Sequence, residues 1–129
     1  MMDSDRSAVI TIGGKEYQLV LSTRATKEIG KRYGGLEKLG DKLLKDESFE
    51  AALEEIVWLI TMLANQSILI HNLQNPGSPK DLLTEDAVEL LTTPLELSAY
   101  KDAIMEAMMR GTNRNIQSED GGEGNTQGG

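Results

Sequence analysis

The sequence predicts an α+β fold that is mostly α: an N-terminal β-hairpin packed on a bundle of about four to six helices, with a disordered C-terminal tail. Three observations predict it. A β-branched run and a second strand-like run flank Gly13-Gly14 near the start. From Arg24 the apolar period changes from two to about 3.6. Beyond Thr112 the only apolar residue is Ile116, and five of the chain's 13 glycines lie there. A length of 129 residues is about one domain. The boundaries follow as a disordered N-terminus at 1–7, a single hairpin-plus-helical domain at 8–111 and a disordered Gly-rich tail at 112–129.

The hairpin is read from "TIGGKEYQL", Thr11 to Leu19. Two adjacent residues able to take positive φ suit a type I′ turn or a turn with a bulge. Alternation puts Tyr17, Leu19 and Leu21 on one face, and Glu16, Gln18 and Val20 on the other. An isolated hairpin is marginal in water, so this one must pack on the helices. The double glycine is not a phosphate loop. Phosphate-binding glycines lead from a strand into a helix, whereas these lead from strand to strand, and no Ser or Thr follows Lys15.

Ser22 and Thr23 are both good N-caps for a helix with Ala25, Ile29 and Tyr33 on one face, stopped by Gly34 in a left-handed cap. Leu36, Leu39 and Leu43 continue as a short amphipathic helix. Asp46 to Ser48 form a break, and Ser48 caps a long helix from about Phe49 to Leu73, nearly 40 Å at ~1.5 Å per residue. Its core stripe is Phe49, Leu53, Ile56, Ile60, Leu63 and Ile70, widened by Val57, Trp58, Leu59, Met62 and Leu69. Such a helix is either packed on several sides or also meets a partner. Thr61, Asn65, Gln66, Ser67, His71 and Asn72 interrupt it, so it reads as a core helix rather than a membrane span.

Asn75-Pro76-Gly77-Ser78-Pro79 is a loop. Ser78-Pro79 and Thr84-Glu85-Asp86 give two successive helix starts, the second leading into Ala87, Val88, Leu90 and Leu91. Thr93-Pro94-Leu95-Glu96 is a capping box with proline at the first helical position. The final helix carries Leu97, Tyr100, Ile104 and Met108 on one face and ends at Gly111.

Composition narrows the function. Without cysteines there is no disulfide framework or thiolate metal site, which fits a reducing cytoplasm. The polar N-terminus MMDSDRS lacks the apolar region of a secretory signal. A net charge of −8 argues against nucleic acid as a partner. The charge is uneven: net −1 over 1–23, +4 over 24–45 and −11 over 46–129. The basic segment is either a solvated helical face or a surface that docks on acidic groups of its own chain or a partner.

The search for chemistry is negative. His71 has no carboxylate at helical spacing and reads as a capping or solvent-facing residue. Glu50, Glu54 and Glu55 lie close on one helix, but no Glu-x-x-His accompanies them, so a solvated face is the better reading than a metal or acid–base site. Neither a nucleophile elbow, a zinc motif nor an EF-hand loop is present. The chain reads as a non-enzyme with no cofactor and no metal. The candidate partner-binding residues are Trp58 and Met62 on the long helix and Ile104, Met105, Met108 and Met109 on the last. Methionine adapts to irregular apolar surfaces, so these are either core packing or a Met-lined groove for a client chain.

The order of elements resembles the tail assembly chaperones of long-tailed bacteriophages, in the form found in phages and prophages of Gram-positive bacteria. The resemblance covers about residues 8–110. It rests on I-x-G-K-E-Y-x-L (Ile12 to Leu19, one glycine more than the usual pattern), K-x-x-x-K-x-Y-G (Lys27 to Gly34) and "LLTEDAVELL" (Leu82 to Leu91). It implies a protein that binds the tape measure protein, keeps it soluble until the tail tube polymerises, and is absent from the finished virion. It further implies a longer form, made by ribosomal frameshifting, that recruits the tail tube protein. Location in the host bacterial cytoplasm, no membrane, and homo-oligomers such as rings are implied as well. The alternatives are a virion head–tail connector and a small acidic helical regulator of antitoxin type. A ubiquitin-like modifier is rejected, because residues 36–110 read as helices where a β-grasp sheet needs strands.

Overall fold

The computed structural model describes residues 7–35, 38–39 and 49–123, with side chains as far as Gly111. Strands β1 (Ser7–Ile12) and β2 (Lys15–Val20) form an antiparallel hairpin. Among the described residues four helices follow: α1 (Thr23–Tyr33), α2 (Phe49–Gln74), α3 (Glu85–Leu91) and α4 (Pro94–Glu123). The fold is α+β and mostly α, as the sequence predicts.

The turn is a two-residue loop in which Gly13 and Gly14 have φ of +58° and +80°. Positive φ at both central residues is the type I′ geometry that matches the twist of the strands. The register pairs Ile12 with Lys15, Ile10 with Tyr17 and Ala8 with Leu19. Ala8, Ile10, Ile12, Leu19 and Leu21 therefore share the buried face and join the main core, with Tyr17 packed against it. Val20 is on the opposite face yet is also buried, and α2 packs along β2. The exposed edge of β1 is partly closed by Tyr100, whose hydroxyl donates to the Thr11 carbonyl at 2.6 Å.

Helix α1 begins where Ser22 accepts from the Ala25 N–H at 3.0 Å and ends at Gly34, left-handed at φ 94°. The Ser22 hydroxyl in turn donates to Oε1 of Gln66, the buried polar side chain of α2. One serine thus caps α1 and ties it to the centre of the molecule. Of the short helix expected around Leu36 to Lys45, only Lys38 and Leu39 are described, both helical, and Leu39 is wholly buried. The rest of it, and the break and cap at Asp46 to Ser48, lie outside the described residues.

Helix α2 is the spine. Ile56, Val57, Leu59, Ile60, Leu63 and Ala64 are all buried, so it is covered on several sides. By length and composition Glu50–Gln74 would be long and apolar enough to cross a membrane, but half of its apolar window is buried within the fold. The hairpin, α3 and α4 all pack against it.

Two sequence expectations are corrected here. No helix starts at Ser78-Pro79. Residues 79–83 instead run extended along α2, held by two side-chain amides. Asn72 accepts from Lys80 N–H at 2.8 Å and donates to its carbonyl at 3.0 Å. Asn65 does the same to Leu83, at 2.7 and 2.8 Å. The spacings match: seven helical residues rise ~10.5 Å, and three extended residues span ~10 Å. These bonds satisfy backbone groups that a helical turn would otherwise have used. The second correction is that Gly111 does not end the last helix, which runs to Glu123. A Cβ at Gly111 would lie 2.8 Å from both Cβ and Cδ2 of Leu21. Its glycine serves a close helix–hairpin approach, not a helix stop. The helix takes in the first part of the expected tail at 112–129, and residues 124–129 lie outside the described residues.

The caps fall as the sequence predicts. Thr84 accepts from the Ala87 N–H at 3.1 Å. Thr93 and Glu96 form the reciprocal capping box, at 3.3 and 2.9 Å.

Two stability tests follow. Gly to Ala inside a helix ordinarily stabilises by up to about 1 kcal/mol. Gly111→Ala is expected to destabilise instead, by about 1–3 kcal/mol, because the obstructing Leu21 Cβ cannot swing away. An unchanged or raised denaturation midpoint refutes the close-packing account. Asn65→Ala is expected to lower stability by about 2 kcal/mol by stranding the part-buried Leu83 backbone groups. Asn72→Ala, at the exposed end of the ladder, should lower it by less than about 1 kcal/mol. Equal losses in urea unfolding would contradict this ranking.

Candidate protein-binding surface

The residues nominated from the sequence do not come together as a groove. Ile104 is fully buried and Met108 nearly so, both in the main core. They face inward because α4 crosses α2 and the hairpin, so its apolar stripe is part of the core. Met62 and Met105 are half-buried against that core. Only Met109 is displayed.

Trp58 is engaged otherwise. Its ring meets Tyr33 edge-on, with centroids 6.0 Å apart, and the Arg32 guanidinium carbon lies 4.4 Å from its centroid. Arg32 also donates to both carboxylate oxygens of Glu55, at 3.1 and 3.4 Å. The Tyr33 hydroxyl donates to the same carboxylate. Glu55, expected on a solvated face with Glu50 and Glu54, is thus largely covered and bonded to α1, while Glu50 and Glu54 are exposed. Burial, and then the bond to the Glu55 carboxylate, push the Tyr33 phenol well above its ordinary value of 10.0. A phenol held protonated and a carboxylate occupied on both oxygens make a closed bridge between α1 and α2. Sequence reading missed it because Arg32 and Glu55 are separated by the segment 36–48, so no helical spacing relates them.

His71, expected to cap the helix or face solvent, instead bonds to the loop that follows α2, while the Asn75 amide donates to the His71 carbonyl at 2.9 Å. The Nε2 of His71 is 3.0 Å from the Ser78 carbonyl, and Nδ1 faces the Asn75 amide at 3.5 Å. It also lines an open cleft of about 1140 Å³ between β2, the end of α2 and residues 79–81. Lys15, Glu16, Lys80 and Asp81 mix both signs of charge there, without a convergent polar set. Among the described residues no group of three or more His, Asp or Glu side chains could hold a metal ion.

The displayed apolar surface is concentrated elsewhere. Leu90 and Leu95 are 83% and 82% exposed, and Leu91 and Leu82 are 55% and 50% exposed. All four lie on α3, at the start of α4 or just before α3. Helical geometry accounts for it. Leu90 stands two residues from the buried Val88, and Leu95 two residues from the buried Leu97. A two-residue step is about 200° around a helix, so each exposed leucine faces away from the core residue that anchors its helix. The sequence carried a signal for this: neighbouring apolar positions such as Leu90-Leu91 cannot all face one side of an α-helix.

No family model, curated protein or solved structure matches the chain.

The Arg32–Glu55 bridge is partly exposed, so its removal is expected to have a modest effect. Arg32→Ala should lower stability by about 1 kcal/mol, combining a screened ion pair with a cation–π contact. It should also shift the emission of Trp58, the chain's one tryptophan. The fold favours the protonated Tyr33 phenol, since its folded-state value is raised. That stability is present in full below pH 10.0 and is lost as pH rises through the folded-state value. Absorbance titration should show Tyr33 ionising later in the native protein than in urea, and earlier in Glu55→Gln than in the parent. Coincident native and denatured curves would contradict the bridge.

Proposed function

We propose that this chain is a phage tail assembly chaperone that acts by binding rather than by catalysis. Its client is the tape measure protein, which it keeps soluble in the host bacterial cytoplasm until the tail tube polymerises around it. The observation that carries the reading is the display of Leu90, Leu91 and Leu95 from two capped helices in an acidic chain. Large leucines displayed by capped, core-anchored helices provide adhesive area, and exposed apolar patches mark protein contacts. The net charge of −8 would keep a complex with an apolar helical client from precipitating. The resemblance of the hairpin, the Tyr-Gly-Gly helix end and the "LLTEDAVELL" segment points to the same class.

A longer frameshifted form, joined through the Gly-rich end of the chain, would recruit the tail tube protein. The chaperone itself would be left out of the particle, which separates this reading from a head–tail connector.

Co-expression with the tape measure protein encoded nearby is the test. The client is expected to move from the pellet to the soluble fraction and to co-purify with this chain, and purified particles should lack the chain. A client that stays insoluble with no recovered complex would refute the reading.

A further inference from the structure

We propose that the corner formed by α3 and the start of α4 docks a basic amphipathic helix of a separate protein. Apolar anchors of that helix would cover Leu90, Leu91 and Leu95, and its lysines or arginines would face Glu85, Asp86 and Glu89. This rests on the reading of the chain as a client-binding protein and names the chemistry of the segment bound.

The corner is a built surface rather than a frayed end. Val88 and Leu97 anchor it from inside, and Thr84 and the Thr93–Glu96 box cap its two helices. Leu91 also touches the hairpin turn: a Cβ on Gly13 would lie 3.0 Å from Leu91 Cδ1. The two helices, and Leu91 with them, are therefore held in place before any partner arrives, which lowers the ordering cost of binding.

Charge selects the occupant. Residues 81–100 contain five acids, Asp81, Glu85, Asp86, Glu89 and Glu96, and no Lys or Arg. A segment that covers the leucines must come close to these carboxylates, so it is favoured if basic and opposed if acidic. Secondary structure follows from the backbone. The corner is helical and offers no strand edge for an extended peptide to pair with. A partner that satisfies its own backbone while presenting an apolar stripe is a helix.

Among the described residues, a second copy of this chain offers no matching face. Its basic helix α1 exposes Arg24, Lys27 and Lys31, but none of the large exposed hydrophobics lies on α1. It could answer the carboxylates and would leave the leucines wet. Among the described residues the other large exposed hydrophobics, Val9, Leu73 and Met109, stand on three different elements.

Fluorescence anisotropy with a labelled Leu/Lys peptide tests the proposal. One peptide has leucines at helical i, i+3, i+4, i+7 spacing; a second has the same composition scrambled. The amphipathic peptide is expected to bind at least ~10-fold more tightly than the scrambled one, since each buried leucine is worth roughly one to two factors of ten. Leu90→Ser/Leu95→Ser should lower that affinity by ~100-fold or more while leaving circular dichroism and the unfolding midpoint near the parent's, because both side chains are exposed. Glu85→Lys/Glu89→Lys should weaken binding and flatten its dependence on salt.

Equal affinity for the two peptides, or an unchanged affinity in the leucine variant, would overturn the proposal. So would concentration-dependent self-association in light scattering that the leucine variant abolishes, since a second copy would then be the occupant. The same variant separates this proposal from the chaperone reading. If it keeps the tape measure protein soluble as well as the parent does, the docking site falls and the chaperone reading stands. If the parent binds the peptide through its leucines but leaves that client insoluble, the docking site stands and the client is another protein.

Discussion

A 26-residue helix that is apolar around most of its circumference cannot stand alone in water, and the rest of this molecule is arranged to cover it. The hairpin takes one side of α2, and α3 and α4 take others. Those elements are themselves too small or too weakly apolar to be stable alone. A two-stranded sheet is marginal in isolation, and α3 has only seven residues. Each is stable because α2 supplies the apolar surface that it lacks. The dependence is mutual, so the molecule has one core.

Burying such a helix creates a second demand, because the polar side chains that interrupt its apolar run must find partners. Each of these does. The Thr61 and Ser67 hydroxyls bond back to the carbonyls of Val57 and Ala64. Gln66 donates to the Met62 carbonyl and accepts from Ser22. Asn65 and Asn72 hold the extended segment, and His71 holds the loop before it. The residues that interrupt the apolar run are thus the fasteners by which α2 gathers loops and helix ends. What lies on the outside is then a remainder, and at α3 and α4 that remainder is leucine set among carboxylates.

Local rules were legible in the sequence. The Gly13-Gly14 turn, the Ser22 and Gly34 caps, the Thr84 cap and the Thr93–Glu96 box depend on neighbours within four residues, and the structure has each of them. Misreadings arose where a distant residue overrode a local signal. Gly111 looked like a helix stop, since glycine usually is one, but Leu21 decides its role from the far end of the chain. Ser78-Pro79 looked like a helix start until the amides of α2 claimed the backbone that follows. Glu55 looked solvated because its partners, Arg32 and Tyr33, belong to another helix. Ile104 and Met108 had the right spacing for a stripe, but spacing does not say whether a stripe meets the core or a partner. The leucines of the corner were visible in the sequence as a surplus of apolar positions, and only the fold shows which of them are left over.

The two-amide ladder on α2 has an evolutionary consequence. Asn65 and Asn72 grip main-chain atoms, which every amino acid except proline supplies at both contacts. Of the side chains at 79–83, only Leu83 is buried. Selection on this strap therefore falls on two asparagines located elsewhere in the chain, while Lys80, Asp81 and Leu82 are free to drift. Related chains would keep the pair of asparagines seven apart and lose recognisable similarity in the segment that they hold. Their alignment would be anchored by the holder rather than by what is held.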